Sequence, residues 1–323
     1  MHKIIAIIIP VHNSLEYTKK CLAGLKELTV KATSDAWRFE VVVVDDGSDD
    51  GTAEWVRRHH PAVHLYVGDG SLWWSGGINL GMKHALNKLV ADYILWWNND
   101  IYPADDYFIQ LVSLLEAGDQ KTVYGSKVYV TDEPLIYNVD ESSVKVEQHY
   151  STRVHSKAYT AEQSDVIWAY GGCFHRRWGY SFLYGKGESD GERFQEALEA
   201  DWLPGMGTVF PARLVADIGW VNASDFPQYH ADIDYTCRAR KAGYEIIVEP
   251  RLRIWNHTQH SGRSHEGKLG RLLPALYDIK SPDHFRKEWL LYRKHAPTLL
   301  AFLVVIKKYV GYFLNFLKTK LFF

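Results

Sequence analysis

The sequence predicts an α/β fold, with a mostly parallel central sheet flanked by helices on both faces. Three observations carry this. The runs Ile4–Ile9, Glu40–Val44 and Tyr93–Trp97 are almost continuously apolar, as strands buried on both faces must be. The stretches between them have helical spacing, which makes β and α alternate. Each apolar run ends in a polar cluster, and open parallel sheets bind ligands beyond the C-terminal ends of their strands.

Taken in order, Ile4–Ile9 is a first strand broken by Pro10. Glu16–Leu28 is a helix, with Tyr17, Cys21, Leu25 and Leu28 on one face. Glu40–Val44 is β-branched and runs into Asp45-Asp46-Gly47-Ser48. Thr52–His60 follows as a helix, with Ser48 or Asp49 as its N-cap. Val63–Val67 is a strand, Ile78–Leu89 a helix and Tyr93–Trp97 a strand. Ser126–Thr131 and Val144–His149 are further strands, and Ser151–Ser164 is polar. The glycine-rich stretch Trp202–Phe210 turns into a strand, and Ala212–Gly219 is a short helix. Asp232–Gly243 is a helix with Gly243 as its C-cap, and Tyr244–Val248 is a strand that ends at Pro250.

The totals exclude several classes. A chain of 323 residues, 46% of them hydrophobic, can bury one large core or two modest ones. A net charge of −2 gives no global field for nucleic acid. Cys21, Cys173 and Cys237 are too far apart for a CxxC or zinc pattern, and a disulfide framework is not expected. The short apolar run near the N-terminus reads as a strand rather than a signal segment. The 12 Trp and 20 Tyr suit either a large core or packing against the C–H faces of sugars.

Four clusters could carry chemistry. Asp45 and Asp46 can accept hydrogen bonds from a ribose or a base N–H, or can simply form an Asp-Gly turn. Asn98-Asn99-Asp100 offers a carboxylate for a hard cation that would hold a diphosphate, or an ordinary strand-to-turn transition. In His230-Ala-Asp232-Ile-Asp234 the two carboxylates are two residues apart, so a helix cannot present both on one face. One can be a general base, while the other caps the helix or pairs with Arg238. His257, after an apolar run, is a metal ligand or an ordinary core histidine.

The order and spacing of these clusters resemble family 2 glycosyltransferases of the GT-A fold, particularly bacterial rhamnosyltransferase-like members. The matching stretches are IIIPVHNSLEYTKKCLAGL, VVVVDDGSDDGT, WSGGINLGMKHAL, YILWWNND, DWLPGMGTVFPARLVADIGW and DIDYTCRARKAGYEI, followed by His257. They span about Ile4 to Ser264. The resemblance implies a glycosyltransferase domain over 1–265 and a C-terminal helical extension over 266–323.

It further implies that Pro10, His12, Asn13, Asp45 and Asp46 surround the base and ribose, with Gly77 and Asn79 near the nucleotide or donor sugar. Asn98, Asn99 and Asp100 stand where the family's DXD motif falls, and only Asp100 is acidic. Asp100 and His257 would then hold Mn²⁺ or Mg²⁺ with the diphosphate. The family's acidic pair at a helix start reads Ala231-Asp232 here, so Asp232 becomes the expected catalytic base and Asp234 its runner-up. Asp201, Trp202, Gly205, Gly207 and Asp234 would face the donor sugar or acceptor. The implied reaction is inverting and metal-dependent. It moves a sugar from a nucleotide-diphosphate donor, dTDP-rhamnose or a UDP-sugar, to a glycan or lipid-linked glycan for a bacterial surface polysaccharide.

The tail lies outside the resemblance. Its longest uncharged run, Ala296–Ile306, is eleven residues, short of the ~20 that span a bilayer. On a helix, Lys307, Lys308, Gly311, Asn315 and Lys318 share one arc and apolar residues fill the rest. That pattern suits an interfacial helix on a membrane surface, and so a cytoplasmic protein peripheral to the inner membrane face. The competing reading packs the helix on its own domain or on a second subunit of a homodimer. A non-catalytic glycan-binding relative is the alternative function, and a nucleotidyltransferase a more distant one.

Overall fold

The computed structural model describes residues 2–131, 164–257 and 276–321. Ten strands form one sheet. Its main path runs β10 (Leu198–Glu199), β12 (Glu245–His257), β6 (Thr122–Thr131), β11 (Thr208–Pro211), β4 (Tyr93–Trp96), β1 (Lys3–Val11), β2 (Trp37–Asp45) and β3 (His64–Val67). Off this path, β5 (Ile101–Pro103) pairs with β12 and β7 (Ile167–Ala169) with β6. β8 (Gly172–Phe174) and β9 (Ser181–Leu183) form a separate hairpin. The first four strands are mutually parallel, as expected. β11 enters antiparallel between β4 and β6, so the sheet is mixed.

Both sheet faces are covered. Ile5, Ile7 and Ile9 point into one apolar cluster with Leu22 and Leu25 of α1 (Leu15–Ala32) and Leu111 of α4 (Tyr107–Ala117). Ala6 and Ile8 point into the other, with Ile78 and Met82 of α3 (Trp73–His84). Two glycines let α3 sit this close to β1. A Cβ at Gly77 would lie 2.9 Å from Pro10 Cβ, and one at Gly81 would lie 2.3 Å from Ile8 Cγ2.

Several boundaries differ from the sequence reading. α3 starts at Trp73, before the expected Ile78, and ends in a π-turn over Ala85–Leu89. α2 (Thr52–His59) is preceded by Gly51 at φ 84° rather than capped by Ser48 or Asp49. β12 runs through Pro250 to His257, with a register shift between Glu249 and Arg253 that absorbs the proline. The strand expected at Val144–His149 and the loop after His257 lie outside the described residues.

α5 (Leu214–Ile218) leads towards α6 (Ala231–Lys241), and the helix at Phe285–His295 packs on α6. In α7 (Phe285–His295), His295 Nε2 lies 2.8 Å from Asp234 Oδ1, both buried, and Arg238 Nε bonds Asp234 Oδ2 at 2.9 Å. His230, at φ 69°, donates from Nε2 to the Pro282 carbonyl at 3.2 Å. α8 (Leu300–Leu321) lays Ala301 and Val305 against α7 and turns Lys308 inward to Asp283 and Glu288. Lys308 therefore leaves the exposed cationic arc expected of it. The outward face carries Leu300, Leu303, Ile306, Val310, Phe313 and Leu314.

Two outcomes follow. Gly81→Val should destabilise the protein by about 1–3 kcal/mol, the cost of overpacking a tight core. An unchanged urea midpoint would show that α3 is free to shift away from β1. His230 is held neutral, its pKa lowered to about 4, chiefly by burial and then by the Lys308 charge. The unfolded chain takes up this proton near 6.5, so between 6.5 and 4 it binds more protons than the fold does. This stability is complete above about 6.5 and is lost as pH falls towards 4. His230→Asn should flatten that part of the stability profile, measured by urea titration across the range.

Candidate active site

The site lies beyond the C-terminal ends of β1, β2 and β4, where the polar clusters gather. Asp45 closes β2 and is fully buried. Its Oδ1 accepts from Ser48 N at 2.9 Å and Ser48 Oγ at 2.5 Å. Its Oδ2 is buried and meets no donor among the described residues. A buried carboxylate oxygen without a partner is costly, and a ligand N–H or O–H would satisfy it. Asn13, at φ 46°, ties its loop to the same turn: its N–H donates to Ser48 Oγ and its Oδ1 accepts from Asp49 N. His12 donates from Nδ1 to the Asp46 carbonyl at 2.7 Å.

Asp46 has a different task from the one expected. Its Oδ1 accepts from Gly70 N and Leu72 N at 3.0 and 3.1 Å, and its Oδ2 from Trp73 N at 2.7 Å. The carboxylate is used by backbone and anchors the loop that opens α3. Gly77 and Asn79 are structural as well. Gly77 faces the Pro10 ring, which leaves Pro10 only partly exposed beneath α3. Asn79 bonds both the N–H and the carbonyl of Val221.

At the end of β4, Asn99 Nδ2 donates to Ser14 Oγ and Thr18 Oγ1, which fixes the turn against α1. Asp100 then enters β5. The antiparallel register pairs Asn256 with Ile101, which sets His257 across from Asp100. His257 N donates to the Asp100 carbonyl at 3.2 Å. Side chains directly opposite in an antiparallel pair share a face, so a carboxylate and an imidazole project together. That donor set suits Mn²⁺ or Mg²⁺. Among the described residues no group of three His, Cys, Asp or Glu could hold a metal.

Asp232 stands at the start of α6. Its Oδ2 accepts from Gly205 N and its Oδ1 from Ile233 N, both at 2.9 Å. Burial pushes its carboxyl above the ordinary carboxylate range, and these backbone N–H groups hold it back. Asp234 lies on the other side of the helix. Burial would raise its pKa, but the His295 hydrogen bond and the Arg238 charge win and lower it. Its carboxylate is engaged by Arg238 and by His295 of α7.

Three further residues have partners within the fold. Asp201 accepts from Phe174 N and pairs with Arg240 at 2.6 Å. The Trp202 indole is buried flat over Gly172, where a Cβ would lie 1.9 Å from Trp202 Cε2. Gly207, at φ 67°, is pressed against Ser126 and starts the β11–β4 pairing. Gly205 stays with the site: a Cβ there would meet Trp74 Cζ2 at 2.6 Å and Asp232 Cβ at 3.5 Å.

Sequence reasoning missed Tyr17, Tyr229, Asp278 and Lys280. The Tyr17 hydroxyl is 3.5 Å from His257 Nδ1, and burial with the Asp100 charge raises its pKa. Tyr229 is raised by burial and then by Asp100 and Asp278, so these three share a neighbourhood. Lys280 sits 5.6 Å from the Trp73 ring. The segment at 278–280 therefore borders the site, although its sequence carries no motif.

Comparison with known proteins bears on the family and the fold. Glycosyltransferase AglE of Haloferax volcanii is 40% identical over 90 residues, 27% of this chain and 28% of the relative. Glycosyltransferase GlyA of Streptococcus pneumoniae is 30% identical over 105 residues, 32% of this chain and 14% of the relative. The chain thus spans well under a third of the length of either. The mannosyltransferase PcManGT from Pyrobaculum calidifontis, solved with GDP-Man and Mn²⁺, superposes with a TM-score of 0.52 at 17% identity, covering 92% of this chain and 66% of that one. This likeness shows the fold, which is of the GT-A type. The model of glycosyl transferase family 2 matches residues 6–179, more than half of the sequence, and the chain belongs to that family.

Proposed function

We propose that the protein is an inverting, metal-dependent glycosyltransferase that moves a sugar from a nucleotide-diphosphate donor to a glycan acceptor. The reading is supported above all by Asp232, a carboxylate with a raised pKa joined through Gly205 and Trp74 to Asn98 at the end of β4. Asp45 Oδ2 would take a base or ribose donor, with His12 and Asn13 shaping the turn. Asp100 and His257 would hold Mn²⁺ or Mg²⁺, which when bound stabilises negative charge on the departing diphosphate. Asp232 accepts the proton of the acceptor hydroxyl as that oxygen bonds to the anomeric carbon. The bond from that carbon to the diphosphate oxygen breaks on the opposite face, and its electron pair leaves with the nucleotide. A single displacement inverts the centre. The donor we favour is dTDP-rhamnose or a UDP-sugar, and the pathway a bacterial surface polysaccharide. The catalytic unit ends near 265, and 266–323 form the extension.

We place the work on the cytoplasmic face of a membrane, with a lipid-linked acceptor. Two features favour this over a dimer through the tail. The outward face of α8 is an apolar stripe from Leu300 to Leu314. After Glu288 the sequence has no acidic residue, while Arg293, Lys294, Lys307, Lys318 and Lys320 are basic. An apolar stripe in a cationic setting matches an anionic lipid surface, whereas two such tails repel. No described helix is long and apolar enough to cross a membrane.

Asp232→Asn should fold normally and lose at least ~100-fold in turnover. The base works deprotonated, so kcat/KM should fall with falling pH through an inflection above the ordinary carboxylate value of about 3.9. Turnover near that of the wild type, or an inflection at or below that value, would remove Asp232 from the base role. For the tail, the double variant Ile306→Glu, Phe313→Glu should lose co-sedimentation with anionic phospholipid vesicles and keep nucleotide binding. Unchanged sedimentation, or a wild-type dimer split by the double variant, would defeat the membrane reading.

A further inference from the structure

Trp74 is held by more polar contacts than packing requires. Its indole N–H donates to Asn98 Oδ1 at 3.1 Å, and its backbone N–H to Gln228 Oε1 at 3.1 Å. The next residue, Ser75, bonds the Phe226 carbonyl through Oγ and the Pro227 carbonyl through N. The residue before it, Trp73, sits at φ 55°, a conformation that a bulky side chain avoids. The Trp74 and Trp96 rings stand nearly perpendicular, at 85°, with centroids 5.4 Å apart. The benzo edge fills the space that Gly205 leaves beside Asp232. Trp96, Trp97 and Trp202 are buried, but Trp74 remains partly exposed.

We propose that Trp74 is a specificity-determining residue whose indole forms the aromatic wall on which the transferred sugar lies. The assignment rests on the function proposed above. In a displacement with inversion, the sugar occupies the space between the departing diphosphate and the base. Trp74 Nε1 touches Asn98, two residues before Asp100, and the adjoining Cζ2–Cη2 edge meets Gly205 beside Asp232, so one edge of the ring borders both neighbourhoods. Aromatic faces pack on the C–H faces of sugars, with a gain that comes on top of buried area. The contact concerns the sugar and not the nucleotide, whose base and ribose belong at Asp45.

The test compares two ligands by calorimetry with Mn²⁺ present: the sugar nucleotide that the wild type binds, and the matching free nucleoside diphosphate. Trp74→Leu should weaken sugar-nucleotide binding by about three- to tenfold and leave nucleoside-diphosphate binding within about twofold. Trp74→Phe keeps an aromatic face, loses the N–H to Asn98, and should retain most of the sugar-dependent increment. Trp74→Met fills the space without a rigid ring and serves as the second non-aromatic variant if Trp74→Leu does not fold. Equal weakening of both ligands, or a full sugar increment in a non-aromatic variant, overturns the assignment alone. A wild-type protein that binds no sugar nucleotide overturns it together with the proposed function.

Discussion

The carboxylate of Asp46 fixes the geometry on which the site depends. It gathers three backbone N–H groups from Gly70, Leu72 and Trp73. Hydrogen bonds to a charged group are worth about 1.5–3 kcal/mol each. A strained φ at a bulky residue costs about 1–3 kcal/mol. The three bonds together outweigh the strain at Trp73, so the loop can turn sharply and start α3 directly over the strand ends. Trp74 is aimed as a consequence, and Gly77 and Gly81 then let the helix rest on β1.

Helix α6 shows how one element separates two similar residues. Asp232 and Asp234 are two positions apart, about 200° around a helix. Asp232 faces Gly205 and takes neutral backbone donors. Asp234 faces α7 and takes Arg238 and His295. Burial acts on both, but only Asp234 has a cation to reverse its effect. Removing a partner from such a buried pair costs about 3–5 kcal/mol, so Asp234 serves to keep the C-terminal helices on the helix that carries Asp232. The two carboxylates therefore sit in separate settings, one among backbone donors beside Gly205 and one against α7. His230 adds a second tie between α6 and the C-terminal segment, at Pro282. Any shift of α7 is thus felt at the helix that positions Asp232, and the segment at 278–280 brings the same extension to the rim of the site.

The sequence by itself determined the alternation of strands and helices, the polar clusters at the strand ends and the family. Those features are local. An apolar run of strand length, a helical repeat and a short motif each depend on near neighbours in the chain. The resemblance also singled out Asp45, Asp100, Asp232 and His257, and the β5–β12 pairing runs on into a backbone hydrogen bond from His257 to Asp100. Only the tertiary structure decided what Asp46, Asp201, Trp202 and Asp234 do, because their partners are a distant loop, a hairpin, Gly172 and α7. It also decided that Lys308 turns inward: helical spacing gives the arc on which a residue lies, but the neighbouring acids Asp283 and Glu288 decide which arc is buried. Side-chain roles of this kind depend on which surfaces meet in the fold, and a one-dimensional pattern does not encode that meeting.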